Sequence, residues 1–102
     1  MKGLVLAIDF DGVIHDHKHP VPGRKMGPPI EGAKDALVHL KAQGHRIIVF
    51  SVWGDRPTVI HDWMTYWGIP YDDITNVKPN ADAYIDDKAI PFTSWADLLG
   101  GL

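Results

Sequence analysis

Carboxylates and imidazoles crowd one short stretch of the chain. Residues 8 to 20, IDFDGVIHDHKHP, hold Asp9, Asp11 and Asp16 among His15, His17 and His19, directly behind an apolar run. These residue types ligate metals, pass protons and attack electrophiles, but an acid behind a buried strand also serves as a turn former or helix cap. Three further polar points lie at the ends of apolar segments. Ser51 follows RIIVF, Asp86 and Asp87 follow AYI, and Lys78 sits in the loop before AYI. In open α/β sheets, ligands bind beyond the carboxyl ends of the strands. If these segments are adjacent parallel strands, four carboxylates and a hydroxyl meet at one rim, with Lys78 as a candidate cation. Carboxylates that close repel one another and take up protons unless a cation is present. Mg²⁺ accepts a few carboxylates plus waters and leaves positions for phosphate oxygens. The clustering therefore predicts Mg²⁺ as the cofactor.

The elements that must position these groups can be read from periodicity. LVLAI (4 to 8) and RIIVF (46 to 50) are short β-rich apolar runs, as expected of strands covered on both faces. Between them, Glu31 to Gln43 place Ala33, Ala36, Leu37 and Leu40 at helical spacing, with Gly44 as a left-handed stop. A second helix is predicted with Asp55 as N-cap, Pro57 in its first turn, a stripe of Val59, Ile60, Trp63, Met64 and Trp67, and Gly68 as its end. DITNV (73 to 77) and AYI (83 to 85) are expected third and fourth strands. Ser94 and Asp97 resemble a capping arrangement for a small terminal helix. Alternation of this kind predicts an α/β, three-layer Rossmann-like parallel sheet with flanking helices, formed by residues 1 to 102 as a single domain.

Composition narrows the function classes. A chain of 102 residues with 45% hydrophobic and 23% charged residues is ordinary for a globular domain. A net charge of -3 offers no basic field for a phosphate backbone, so no nucleic-acid scaffold is expected as partner. Cysteine is absent, which excludes disulfides and thiolate metal sites and suits a reducing cytoplasm. The opening MKGLVLAIDFDG reads as a buried strand rather than a signal peptide, and no membrane association is expected.

Taken in order, DFDGV, IIVFS, VKP and YIDDKA resemble the four motifs of the haloacid dehalogenase-like (HAD) phosphatase superfamily, and residues 67 to 90 are similar to its small members associated with sugar-phosphate and capsule biosynthesis. The resemblance implies that Asp9 is a nucleophile forming an aspartyl-phosphate and that Asp11 protonates the leaving oxygen and then activates water, its backbone carbonyl ligating Mg²⁺. It also implies that Asp86 completes the metal site with Asp87 as a direct or water-mediated partner, and that Ser51 and Lys78 bind phosphate. The implied substrate is a sugar phosphate, nucleotide or other phosphometabolite. An acid at position 11, where transport ATPases of the family carry threonine, favours hydrolysis over a long-lived phosphoenzyme.

Between the first strand and the first helix, Pro20, Pro22, Pro28 and Pro29 exclude a regular helix, so residues 15 to 29 are expected to form a flap or irregular hairpin. On an extended flap His15, His17 and His19 would share a face, and His15 and His17 are candidate substrate-specificity residues. His39, His45 and His61 read as surface residues. Trp53 follows Ser51 where the similar sequences often carry arginine, so Trp53 as a pocket wall and Arg56 as a displaced cation complete the specificity set. No segment is long enough for a cap domain, which predicts an open site roofed by the flap or by another subunit. A non-enzymatic phosphoacceptor of the response-regulator type is the alternative, but such receivers place paired acids first, whereas here they come last. Only Pro79 to Asp82 separate Lys78 from the fourth strand, too few for a crossover helix.

Overall fold

The computed structural model describes residues 3–51, 57–86, 90–91 and 94–101. The two apolar runs become β1 (Val5–Asp9) and β2 (Arg46–Phe50), joined by α1 (Ala33–Ala42). Then follow α2 (Pro57–Trp67), β3 (Asp73–Thr75), β4 (Ala83–Asp86), β5 (Ile90–Pro91) and α3 (Trp95–Gly101). Every pairing is parallel, in the order β3-β2-β1-β4-β5. The expected α/β parallel sheet with flanking helices and a short flap after the first strand is what the chain forms. The edge strand β5 is an addition to the sequence reading. Its two residues are too few to carry a period. The shortage of residues before the fourth strand is met by making β3 three residues long and returning through residues 76–82 without a helix.

Alternation along the strands explains the core. Leu6, Ile8, Ile47, Val49 and Ile85 are fully buried and pack with α1, α2 and α3 in one cluster. Each such side chain contributes about 2 kcal/mol by leaving water. The four apolar residues predicted for the inner face of α1 are the four that it buries. In α2, Ile60, Trp63 and Met64 are buried, but Val59 is 42% exposed. One residue is 100° of helical rotation, which turns Val59 from the core toward the flap. Gly44 and Gly68 follow α1 and α2 at φ +88° and +69°, the left-handed ends that glycine provides without strain. His45 corrects the surface reading. It is buried, and its Nδ1 accepts the Leu4 N–H at 3.0 Å. Trp95 on α3 is also buried and donates from Nε1 to the Val13 carbonyl at 3.0 Å. Ser94 Oγ accepts the Asp97 N–H at 3.1 Å, as the cap reading requires.

Two acids clamp the sheet where its strands begin. Asp72, just before β3, donates its N–H to the Ile47 carbonyl at 2.9 Å and accepts the Ile47 N–H on Oδ2 at 2.7 Å. Asp82, just before β4, repeats the pattern on Val5, at 2.8 Å and 2.6 Å. In each case a carboxylate extends a parallel ladder by one bond. Asp72 also receives the Lys41 ammonium on both oxygens at 2.7 Å, which ties α1 to this end of the sheet. Partial burial would raise the Asp72 pKa, but the Ile47 N–H, Lys41 and Arg46 outweigh it and hold the carboxyl below its usual range.

A carboxyl whose pKa falls on folding adds stability above its unfolded pKa of about 4, and that stability is lost as pH drops further. Asp72→Asn should therefore cost about 1 kcal/mol at neutral pH, discounted for its solvent contact. The difference from wild type should shrink toward pH 3. Urea unfolding at the two pH values checks this, and an equal difference at both would contradict it.

Candidate active site

From β1 the chain moves to β2 on one side, and β4 joins β1 on the other. The crevice beyond the carboxyl end of β1 is thus the switch point where ligands bind in open α/β sheets. Asp9 and Asp86 stand there together. Ile8 pairs with Ile85, and the two acids are the next residues on the two neighbouring strands. The pleat turns both to the sheet face opposite Ile8 and Ile85, from backbones that run about 4.8 Å apart.

After Asp9 the chain coils tightly. Phe10 is buried, its carbonyl accepts the N–H groups of Ile14 and His15 at 2.9 Å and 2.8 Å, and Gly12 adopts φ +82°. This coil brings His15 back onto Asp11. The His15 Nδ1 lies 2.7 Å from Asp11 Oδ1, and the Gly27 N–H points at Nε2 at 2.9 Å. Since an amide can only donate, Nε2 is the acceptor, and Nδ1 carries the proton given to Asp11. The ring is 6% exposed, stacks on Phe10 at 5.0 Å and meets the edge of Trp63 at 5.3 Å. Trp63 in turn donates from Nε1 to the Gly27 carbonyl at 3.0 Å.

Gly27 is therefore held at both backbone groups. It has no room for a side chain, because a Cβ there would lie 1.9 Å from the Asp16 carbonyl oxygen. His15 is thus a buried strut between Asp11 and the flap rather than one of three histidines on a shared face. His17 and His19 are exposed, the His17 ring staying 6.5 Å from that of His15. Asp16 accepts from His19 Nδ1 and the Lys18 N–H. Desolvation pushes its carboxyl up, but these bonds and the charge of His19 together outweigh it and hold the carboxyl below the ordinary value.

Ser51 is 3% exposed and donates its N–H to the Thr75 carbonyl at 3.1 Å. With Asp11 it lines a cavity of about 220 Å³, completed by Phe10, Lys25, Met26, Val59 and Ile60. Lys25 is a residue that sequence reasoning passed over. Its signal was the basic pair in GRKMG on a flap already expected to roof the site. Lys78 lies elsewhere. It is exposed, with its ammonium 4.7 Å from the centre of the Tyr84 ring. Tyr84 shares a sheet face with Asp86, so Lys78 comes to the acids' face on the return segment. Asp55, Trp53, Arg56 and Asp87 lie outside the described residues.

Among the described residues, no three Asp, Glu or His side chains converge as a metal cage. The donors at the switch point are a carboxylate pair, Asp9 and Asp86, with the Asp11 carbonyl nearby in sequence. Hard oxygens in that number suit Mg²⁺, which binds through one or two carboxylates and keeps several waters. Both His15 nitrogens are engaged, so His15 offers no lone pair to a transition metal.

No family model matches the chain, and no curated protein does. Two solved structures share its fold. A conserved protein from Bacteroides thetaiotaomicron superposes with a TM-score of 0.75 at 26% identity, covering 95% of this chain and 87% of that one. A crystal structure of a target protein from Vibrio cholerae gives 0.61 at 20% identity, covering 89% and 84%. Neither is named for an activity.

The shared bond between His15 and Gly27 makes their substitutions interdependent. His15→Ala leaves a buried amide unpaired, and Gly27→Ala drives the flap off its seat. Each should cost about 2 kcal/mol of unfolding free energy. The double variant should lose measurably less than the sum. Denaturant unfolding of the four proteins tests this, with strict additivity the contrary result.

Proposed function

We propose that the chain is a Mg²⁺-dependent phosphomonoester hydrolase of the HAD-like type. The observation that carries this reading is the pair Asp9 and Asp86 at the switch point, next to a cavity shared by Asp11 and Ser51. Neighbouring carboxylates are the hard oxygen donors that Mg²⁺ takes, and a phosphate dianion is the ligand that a cation, a hydroxyl and lysines bind together.

Asp9 attacks phosphorus as its bond to the leaving oxygen breaks, and Asp11 gives that oxygen a proton. Asp11 then takes a proton from the water that attacks the aspartyl-phosphate and expels the Asp9 carboxylate. The bond from His15 Nδ1 occupies one Asp11 oxygen and aims the other, which serves proton transfer. Mg²⁺, held by Asp9, Asp86 and the Asp11 carbonyl, would offset charge on the phosphoryl oxygens. Ser51 and Lys25, in the cavity wall, bind the phosphate, and Lys78 adds charge from the acids' face. Asp87 supports the metal on the strength of the resemblance. The substrate class is a sugar phosphate, nucleotide or other phosphometabolite.

Hydrolysis of an aryl phosphate should require Mg²⁺ and stop with EDTA. Asp9→Asn should lower kcat by at least about 10³-fold, and Asp11→Asn by about 10²- to 10⁴-fold. Activity that survives Asp9→Asn would refute the mechanism.

A further inference from the structure

The flap and α2 enclose a second, larger cavity of about 460 Å³, walled by Val21, Arg24, Trp63, Tyr66 and Trp67 and, in common with the Asp11 and Ser51 cavity, by Lys25, Met26 and Val59. The two spaces are therefore neighbours across three shared residues. Together they have the dimensions of a small-ligand site. From these features we infer that the flap–α2 cleft is the leaving-group subsite and takes a planar aromatic ring, of the kind a nucleoside monophosphate carries. This rests on the phosphatase reading of the neighbouring cavity.

The lining argues for a ring rather than a bare sugar. Tyr66 is 60% exposed, an aromatic on the side of α2 that the core does not use. Its ring meets that of Trp67 edge-on at 5.3 Å, and Trp67 lies 6.3 Å from Trp63. The Arg24 guanidinium stands 4.3 Å over Tyr66 and donates to its hydroxyl at 3.0 Å, adding a planar cation to the wall. Trp63 has given its N–H to Gly27 and is buried, so it forms an apolar floor beneath the two exposed-side aromatics. Alongside its hydrogen-bonding groups the wall carries the rings of Tyr66 and Trp67, stacking surface that a planar ring covers more fully than a bare sugar does. Asp62, also in the wall, can accept from an exocyclic amine. Lys25 belongs to both cavities, so positive charge sits at the junction between ring and phosphate.

The matched pair adenosine 5′-monophosphate and ribose 5-phosphate differ by the ring alone. With Mg²⁺ present, kcat/KM should favour the nucleotide by at least about tenfold, the size of one stacking interaction. Tyr66→Ala and Arg24→Ala change exposed residues, and their fold can be confirmed by circular dichroism. Both should reduce that preference to about threefold or less. Equal kcat/KM in the wild type, or a preference retained by both variants, would overturn the subsite and leave the phosphatase reading standing. If neither ester is hydrolysed, quenching of tryptophan fluorescence decides. Saturable quenching by the nucleotide alone would keep the cleft as a ring-binding site and overturn its leaving-group role. Its absence in folded protein would overturn both.

Discussion

A single imidazole with both nitrogens engaged organises the working end of this molecule. Because an amide can only donate, the Gly27 N–H settles which His15 nitrogen holds the proton, and that proton settles where the Asp11 carboxylate points. Flap, strand end and α2 are thereby linked: Trp63 grips the other side of Gly27 and presses its ring edge on His15. The flap is thus a built wall, seated by hydrogen bonds and by the lack of space at Gly27, and its seating is inseparable from the orientation of the acid beside it.

Around that strut the acids separate by environment. Asp9 and Asp86 stand side by side on neighbouring strands at the switch point. Asp11, two residues past Asp9, instead accepts from His15 Nδ1. One stretch of sequence thereby places two acids in different environments, the kind of division that the proposed acid–base chemistry would use. Val59 shows how economically the cavity is made. One step of helical rotation takes it out of the core stripe and into both cavity walls.

Much of this was legible in the sequence, for physical reasons. Buried parallel strands must be continuous apolar runs, so β1 and β2 stood out. The helices followed from period and from the glycines at 44 and 68, and the acids at strand ends followed from the geometry of open sheets. What stayed hidden depends on tertiary contact. Alternation of His15, His17 and His19 implied an extended flap, but the coil around the Phe10 carbonyl gives each histidine a different environment. His45 looked like a surface residue because nothing local reveals that the Leu4 amide needs an acceptor. Lys25 carried no spacing signal, since its role depends on how the flap folds over Ser51. Two-residue β5 lies below the length at which any pattern can register.

The clamps of Asp72 and Asp82 give the sheet a polarity beyond its strand direction. Carboxylates at the end where strands begin fasten neighbours together, joining residues 25 and 77 positions apart. Carboxylates also stand where β1 and β4 finish, at the switch point of the sheet. The same functional group thus stands at both rims, as a rivet at one and at the switch point of the other, separated by the length of a strand. Selection or engineering can adjust the rivets while leaving the switch-point acids in place, and a fold of about a hundred residues keeps room for both.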